Sequence, residues 1–219
     1  MTNYELIKER HSVRQYLSKP IEEEKRKILN DFALSLNEKY GTHIQIKYDD
    51  EAGFKNGKAD YGLFSNCQNY IALVGKDPYV CGYVGELMVI KAQELGLNTC
   101  FVALTYERKY VKNKLEINQD EKLQCNIALG YGKTQGHPRR SKTKEQVLVL
   151  KGNPPDCLDK VVDACLLAPT AINQQKFKVL CTDGKFDVKK SGIGVLLDLD
   201  AGIVKANMDL VLEECGYEN

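Results

Sequence analysis

The chain of 219 residues lacks several features that would place it in a specialised class of protein. It has no apolar run of about 18 residues, which argues against a membrane-spanning helix. It has no excess of one charge sign, because Lys and Arg together number 31 and Asp and Glu 30. A general nucleic-acid binder usually carries a strong basic excess, so nucleic acid is not an expected partner. The polar residues 1–10 do not form the apolar core of a signal peptide, and the expected compartment is the cytoplasm.

Metal-binding and phosphate-loop signatures are also missing. The eight cysteines include no Cys-x-x-Cys pair, and the three histidines, His11, His43 and His137, lie far apart in sequence. This spacing argues against a zinc or iron–sulfur site. Cys100 and Cys165 stand inside apolar runs, where a thiol behaves as a small hydrophobic side chain and a cytosolic protein keeps it reduced. Neither the Walker pattern nor the dinucleotide pattern Gly-x-Gly-x-x-Gly occurs.

Apolar periodicity and turn residues predict helices that alternate with short strands, as in an α+β protein. The predicted helices are 4–9, a helix opened by Pro20, 83–95, a helix opened by Pro155, and 201–215. The predicted strands are 43–48, 70–74, 98–104, 124–129 and 177–181. The predicted polar loops are 49–60 and the basic loop 136–144.

Two of the predicted helices share a glycine pattern. Gly82 and Gly202 each lie at the same distance from a second glycine that closes the helix. In each part of the chain, a helix that follows a proline also leads through a loop into a strand. These similarities predict two structurally related halves, 1–145 and 146–219, of which the second is shorter. The alternative is that helix–loop–strand units are common and that the equal glycine spacing has no structural meaning.

The segment 10–14, Arg-His-Ser-Val-Arg, concentrates groups that bind phosphate. It offers two guanidinium groups, an imidazole and a hydroxyl beside the end of a predicted helix. Charge-assisted hydrogen bonds from such groups to a phosphate contribute about 1.5–3 kcal/mol each. The segment is therefore a candidate phosphate site, and the alternative is a solvated surface turn.

A loop rich in amide side chains follows Pro169, which ends a helix. Thr170, Asn173, Gln174 and Gln175 offer donors and acceptors before a strand resumes. Such groups match the alternating carbonyl and N–H groups along the edge of a pyrimidine-like ring. The alternative is a polar surface loop. Residues 168–176 are called the amide loop below.

Two further segments carry glycines next to possible ligand contacts. Residues 94–104 run from a helix through a glycine into a small apolar strand, which could bring backbone N–H groups against a planar ligand. The alternative there is a plain helix-to-strand connection. The Gly-Tyr-Gly segment 130–132 precedes three cations within 139–142, which could bind RNA, a membrane surface or nothing.

In this order, the four segments resemble those of the FMN-dependent nitroreductase family. That family opens with a pattern like R-[RH]-S-x-[RK], matched by 10–14, and carries a loop like A-P-[ST]-x-x-N-x-Q, matched by 168–175. It has a helix ending in G-L-G-T, matched by 96–99, and a late G-Y followed by a basic loop, matched by 130–131 and 139–140. The resemblance spans nearly the whole chain. It implies an α+β, nitroreductase-like FMN-binding fold with a mixed central sheet flanked by helices.

The resemblance also implies partners and residue roles. FMN is the implied cofactor, NAD(P)H the implied electron donor, and a nitroaromatic, quinone or similar small molecule the implied acceptor. The residues implied to hold the FMN phosphate and ribityl chain are Arg10, His11, Ser12 and Arg14, with Arg139 or Arg140. The residues implied to line the flavin are Pro169, Thr170, Ala171, Asn173 and Gln175, and the backbone at Ala103 and Leu104 is implied to approach N5 and O4. No catalytic acid or base is required, and Lys142 or Lys176 could place a positive charge near N1.

The position of the amide loop departs from the family pattern. In typical members it follows soon after the first motif, and homodimerisation brings it to the flavin of the other subunit. Here it lies in the second half, and residues 35–42 of the first half lack it. This resembles a subgroup in which two unequal halves of one chain imitate the usual dimer and share one flavin site. The chain is then expected to be a monomeric pseudo-dimer or a homodimer.

The chain departs from the family pattern at a second place, and two other functions remain open. Lys176-Phe177 stands where the family often has Pro-Trp, which leaves the aromatic wall of the pocket undefined. Related branches of the superfamily fragment a flavin or remove a halogen reductively, and a lid from residues 49–60 would distinguish them. A non-catalytic FMN-binding protein, or RNA contact through residues 136–144, is the other alternative, although the near-zero net charge opposes RNA binding.

Overall fold

The computed structural model describes residues 1–54 and 64–217, and its elements confirm an α+β protein. The helices are α1 (Asn3–Glu9), α2 (Glu23–Tyr40), α3 (Pro78–Glu94), α4 (Arg108–Asn113), α5 (Lys144–Val147), α6 (Leu158–Leu167) and α7 (Leu197–Glu214). The strands are β1 (Gln45–Lys47), β2 (Asn69–Gly75), β3 (Asn98–Val102), β4 (Lys122–Gly130), β5 (Leu148–Lys151), β6 (Phe177–Thr182) and β7 (Lys185–Lys190). Among the described helices, none combines the length and the apolar character that a bilayer crossing requires.

The chain divides into two compact units. The four-stranded unit comprises Arg10–Asp77 and Met88–His137. The three-stranded unit comprises Met1–Glu9, Pro78–Leu87 and Pro138–Asn219. The predicted division into two structurally related halves stays a prediction.

The four-stranded unit is built on an antiparallel sheet with the strand order β1-β2-β4-β3. Every residue of β2 is buried, which explains the continuous apolar run at 70–74. Tyr70 and Ala72 of β2 and Ala128 of β4 belong to one core cluster, together with Cys100 and Val102 of β3.

The three-stranded unit is built on a mixed sheet. Its strand order is β5-β6-β7, with β5 and β6 parallel and β6 and β7 antiparallel. Sequence patterns did not lead us to predict β5, β7, α4 or α5. In β7 the alternation of buried Phe186 and Val188 with exposed charged residues is typical of a half-buried strand, so a signal was present.

Two helices begin later than predicted, because a proline precedes each helix rather than opening it. Glu22 is extended, with ψ of 142°, so the chain from Pro20 becomes helical only at Glu23. At the other helix, the Leu158 N–H donates to the Pro155 carbonyl at 3.0 Å. That bond closes a turn ahead of α6.

Two other helices begin earlier than predicted. Pro78 opens α3 five residues before the predicted start at Tyr83, because the fixed φ of proline suits the first helical position. The last helix, α7, begins at Leu197 rather than at Ala201. The third strand, β3, is shorter than predicted and ends at Val102.

Helices α3 and α7 meet at two glycines within the three-stranded unit. A β-carbon at Gly82 would overlap the carbonyl oxygen of Leu199, and a β-carbon at Gly202 would overlap the carbonyl oxygen of Tyr79. The contact is reciprocal, since each glycine meets the residue three positions before the other glycine. Glycine is required at both positions because only it lets the two backbones approach so closely.

Candidate functional site

The segment 10–14 runs as extended chain beside β3 rather than as a surface turn. Ser12 pairs with Thr99 in a parallel bridge, and the Val13 N–H donates to the Thr99 carbonyl at 3.0 Å. Val13 and the following Tyr16 are buried in the core of the four-stranded unit. The segment is therefore an extended chain paired with β3 and not a surface turn.

Three of the predicted phosphate ligands influence the pKa of one thiol, that of Cys100 in β3. Burial raises the pKa of the Cys100 thiol. The charge of Arg14, a hydrogen bond with Ser12 and the charge of Arg10 act on that pKa in the opposite direction. Arg10 is buried, whereas Arg14 is exposed. The bridge between Ser12 and Thr99 places this segment beside Cys100, and both arginines act on the Cys100 thiol through their charge.

His11 lies against the loop that follows β4. Gly136 has a φ of 78°, and a β-carbon there would lie 2.6 Å from Cβ of His11. Tyr16 pairs with Gly132, whose N–H donates to the Asn98 side chain at 2.9 Å. The two glycines therefore let this loop pack closely against the phosphate-binding candidate segment.

The backbone predicted to approach N5 and O4 of the flavin follows the end of β3. Because β3 ends at Val102, Ala103 and Leu104 lie in bends beyond the paired part of the strand. The Leu104 side chain is 73% exposed. The predicted strand was therefore two residues too long, and these two residues form a loop.

The amide loop of the three-stranded unit holds three residues in the left-handed backbone region. Their φ angles are 46° at Ile172, 53° at Asn173 and 44° at Gln175. Asn tolerates this conformation, but a β-branched residue such as Ile172 adopts it rarely. Such strain costs about 1–3 kcal/mol per residue and persists only where the surrounding contacts impose it.

Gln175 supplies several of those contacts from a buried position. Its side-chain nitrogen donates to the Leu166 carbonyl at 2.8 Å and to the Ser141 hydroxyl at 3.0 Å. Its side-chain oxygen accepts from the Lys142 backbone N–H at 2.7 Å, and its own backbone N–H donates to the Thr170 hydroxyl at 3.1 Å. The Gln175 side chain therefore positions the loop by joining it to α6 and to residues 141–142.

Asp200, which no sequence motif marked, anchors another side of the amide loop. It is buried in the first turn of α7, and its carboxylate accepts from the Ala171 N–H at 2.9 Å and from the Gln174 side chain at 2.7 Å. Gln174 also donates to the Val195 carbonyl at 2.7 Å. Burial raises the pKa of Asp200, and its hydrogen bonds with Ala171 and Gln174 partly offset that effect. An acidic residue in the first turn of a helix was the available sequence signal, but many helices share it.

The two predicted arginines have different surroundings. Arg139 donates from Nη2 to the carbonyls of Leu167 at 2.7 Å and Ala168 at 2.5 Å, which caps the C-terminal end of α6. Arg140 is exposed, and its carbonyl accepts from the Asn173 side chain at 2.6 Å. Arg139 thus supports the amide loop, while Arg140 presents its guanidinium group to solvent.

Lys142 is held against the amide loop. Its amino group donates to the Gln175 carbonyl at 2.5 Å, whereas Lys176 donates to the Ile193 carbonyl. Burial, followed by the charges of Lys178 and Lys176, lowers the pKa of Lys142. Of the two lysines that the sequence suggested for flavin N1, Lys142 is the one that bonds to the loop backbone.

Asn173 carries an acceptor that the described part of the chain does not satisfy. Its side-chain oxygen is buried and accepts no hydrogen bond there, although the amide nitrogen beside it donates to Arg140. A buried unpaired acceptor costs free energy unless a ligand or a water molecule donates to it. Pro169 and Thr170 are buried at the start of the same loop.

The predicted site residues fall into two groups. Those at 10–14 and 103–104 belong to the four-stranded unit, and those at 139–140 and 169–175 belong to the three-stranded unit. That both groups meet around one flavin stays a prediction. Residues 55–60 of the predicted lid lie outside the described residues.

Comparisons with known proteins identify relatives of this chain. A family model described as "Putative TM nitroreductase" matches residues 2–212, and a search of curated proteins gave no match. The crystal structure of a "putative nitroreductase" from Thermotoga maritima is 22% identical, with 100% of this chain and 87% of that chain covered and a TM-score of 0.65. A "Putative NADH dehydrogenase/NAD(P)H nitroreductase" from Bacteroides thetaiotaomicron is 18% identical, covering 66% of this chain and 95% of that chain, with a TM-score of 0.54. These likenesses confirm the predicted nitroreductase-like fold.

Proposed function

Since this chain belongs to the nitroreductase family, we propose that it is an FMN-dependent oxidoreductase that passes electrons from NAD(P)H to a small acceptor. The acceptor class is a nitroaromatic, a quinone or a similar molecule, as the family resemblance implies. The printed description of the Bacteroides protein as an NAD(P)H nitroreductase supports a nicotinamide donor. We also infer a cytoplasmic location, where thiols stay reduced.

The amide loop is the observation that carries this proposal. Its strained backbone is fixed from three directions, by Arg139, by Gln175 with residues 141–142, and by Asp200. This fixed loop presents the buried, unpaired Asn173 oxygen. A flavin edge carries an N–H group that could donate to such an acceptor, so the residues present fit the group.

The segment 10–14 supports the phosphate part of the proposal. The backbone of this segment is held beside β3 by the contacts of Ser12 and Val13 with Thr99. Two cations and a hydroxyl within five residues match the charge and hydrogen-bonding needs of a phosphate. We propose that these residues hold the FMN phosphate and that exposed Arg140 adds a third cation.

When bound, FMN would supply the redox chemistry by accepting electrons from NAD(P)H and passing them to the acceptor. The chain would bind and orient it. We propose that Lys142 is the positive charge beside the flavin, because its amino group is fixed on the amide loop. A fixed cation stabilises negative charge that develops on a bound group. No side chain is needed as a catalytic acid or base.

The reciprocal contact of Gly82 and Gly202 supports the proposed pseudo-dimer. In a two-fold symmetric interface, residue i of one subunit meets residue j of the other, and j meets i in return. The contacts of Gly82 with Leu199 and of Gly202 with Tyr79 have this form within one chain. We propose that α3 and α7 are equivalent helices of two related halves, so that the chain binds one FMN without a second copy.

Steady-state oxidation of NADH and NADPH by the FMN-loaded protein tests the proposal. We expect consumption of at least one nicotinamide to accelerate when menadione or a nitroaromatic is added. Asn173→Ala should weaken FMN binding or change the rate, whereas Asn153→Ala, at an exposed position of the same unit, should not. A protein that binds FMN but shows no turnover with either donor would contradict the oxidoreductase and favour a binding protein. Fragmentation of reduced flavin under oxygen would identify the flavin-destroying alternative.

A further inference from the structure

Two helices of the three-stranded unit, α6 and α7, pack side by side in opposite directions. Asn207 donates to the Ala164 carbonyl at 3.1 Å, near the middle of both helices. At one end of the helix pair, Lys160 near the start of α6 forms an ion pair with Glu214 at the end of α7. This antiparallel register places the residue before α6 beside the residue after α7.

Both of those positions are cysteines. Cys157 precedes Leu158, the first residue of α6, and Cys215 follows Glu214, the last residue of α7. Cys215 also contributes to the raised pKa of the Cys157 thiol, through its charge and a side-chain hydrogen bond. The helix register places the two cysteines side by side, and this electrostatic effect agrees with it.

We propose that Cys157 and Cys215 form a redox-active dithiol that closes to a disulfide when the protein meets hydrogen peroxide. In the first step a peroxide oxygen transfers to the Cys215 sulfur, giving a sulfenic acid and releasing water. In the second step the Cys157 sulfur attacks that sulfenic acid, which forms the S–S bond and releases a second water molecule. The two thiols lose two electrons and two protons, and one peroxide molecule is reduced to two water molecules.

The different burial of the two thiols decides the order of these steps. Cys215 is partly exposed, so peroxide can reach it, whereas Cys157 is buried. Burial, with a smaller effect of Cys215, raises the pKa of the Cys157 thiol to about 11. Because Cys157 is buried and its thiolate is disfavoured, peroxide oxidises Cys215 first. Cys157 acts as the resolving partner because the helix register places it beside the resulting sulfenic acid.

A third cysteine, Cys181, is the alternative partner for a disulfide with Cys157. Cys181 in β6 also raises the pKa of Cys157, with a smaller effect than that of Cys215. It is fully buried, so it lacks the access to peroxide that Cys215 has. The structure therefore favours the bond between Cys157 and Cys215.

The proposed bond would clamp the helix pair that carries the amide loop. The loop leaves the C-terminal end of α6 and is bound by Asp200 at the N-terminal end of α7. The dithiol lies at the opposite ends of these two helices. Disulfide formation would fix their relative position whether or not a flavin is bound, so the inference does not depend on the proposed function.

Peptide mapping of the full-length protein tests the proposal. Trypsin would release the cysteines in separate peptides: Cys157 in 152–160, Cys181 in 179–185 and Cys215 in 206–219. After treatment with peroxide and alkylation without reductant, we expect a linked peptide of 152–160 and 206–219. The intact mass should fall by about 2 Da, for two hydrogens, and dithiothreitol should restore it.

Variants identify the role of each thiol. In Cys157→Ser, Cys215 should advance to sulfinic acid or react with added glutathione, because its resolving partner is gone. In Cys215→Ser the linked peptide should be absent and Cys157 should stay reduced. Cys165→Ser, at a buried position within α6, is the matched control and should retain the linked peptide. Oxygen addition at Cys215 of the wild type without a linked peptide, or a link through 179–185, would overturn the proposal.

Discussion

Asp200 accepts a hydrogen bond of 2.9 Å from the backbone N–H of Ala171 and thereby joins the first turn of α7 to the amide loop. The carboxylate is buried, and among the described supports of the loop named above it comes from a residue that follows the loop in sequence. Together with Arg139 it accounts for the strained backbone between Ala168 and Lys176. The loop conformation is therefore a property of the packed unit and not of the loop sequence.

Removal of the Asp200 carboxylate should loosen the amide loop. We expect Asp200→Ala to lower the free energy of unfolding by about 1–3 kcal/mol, because the Ala171 N–H and the Gln174 amide lose their acceptor. FMN affinity should fall several-fold in the same variant. Asp198→Asn, which changes an exposed carboxylate paired with Lys190, is the control and should leave FMN affinity unchanged. Urea unfolding and FMN fluorescence titration measure the two effects.

The raised pKa of Asp200 predicts a pH dependence of stability. Burial raises this pKa above the ordinary carboxyl value of about 4, so at intermediate pH the folded chain binds a proton that the unfolded chain does not. Lowering the pH from about 7 towards about 4 should therefore stabilise the wild type relative to Asp200→Asn, which has no carboxyl group to titrate. Urea unfolding of both proteins across this range checks the sign. A constant difference between them would show that Asp200 titrates normally.

Arg14 should contribute strongly to FMN affinity. We expect Arg14→Ala to weaken binding by about 1.5 kcal/mol or more, which is about tenfold, because a charged partner of the phosphate is lost. Riboflavin, which lacks the phosphate, should bind both proteins equally. Arg108→Ala removes an exposed guanidinium of the same unit and serves as the matched control. Equal FMN affinity of Arg14→Ala and wild type would place Arg14 outside the site.

The glycine contact between α3 and α7 should tolerate no larger residue. Gly82→Ala and Gly202→Ala should each destabilise the protein by about 3 kcal/mol or more, because the added carbon meets a backbone carbonyl that cannot move away easily. Gly41→Ala is the control for lost backbone freedom, since Gly41 has a φ of 64° but nothing within 4 Å of the added carbon. It should cost about 1–2 kcal/mol. Similar losses in all three variants would argue against the close approach.

Much of the candidate site was predictable because its residues are neighbours in sequence. Segment 10–14 packs along β3 because Val13, and Tyr16 just after it, are buried in the core. Residues of the amide loop were recognisable because Pro169 ends a helix and several amides follow it. In both segments the residue types and the observed local structure favour the same conformation.

The supporting contacts were not predictable from the sequence, because they depend on tertiary packing. Arg139 was expected at a phosphate, yet it caps the carbonyls at the end of α6, which lie almost thirty residues later in the chain. Gln175 was expected to face the flavin, yet its side-chain amide is committed to Leu166, Ser141 and Lys142. No periodicity or motif indicates which distant backbone group will need a donor.

The measurement that tests the account most directly is the titration of FMN fluorescence with the purified chain, after any bound flavin has been removed. We predict saturable binding of one FMN per chain, weakened separately by Arg14→Ala in the four-stranded unit and by Asn173→Ala in the three-stranded unit. Such a result would place both groups of residues at one flavin. Absence of FMN binding, or binding that neither substitution changes, would contradict the account.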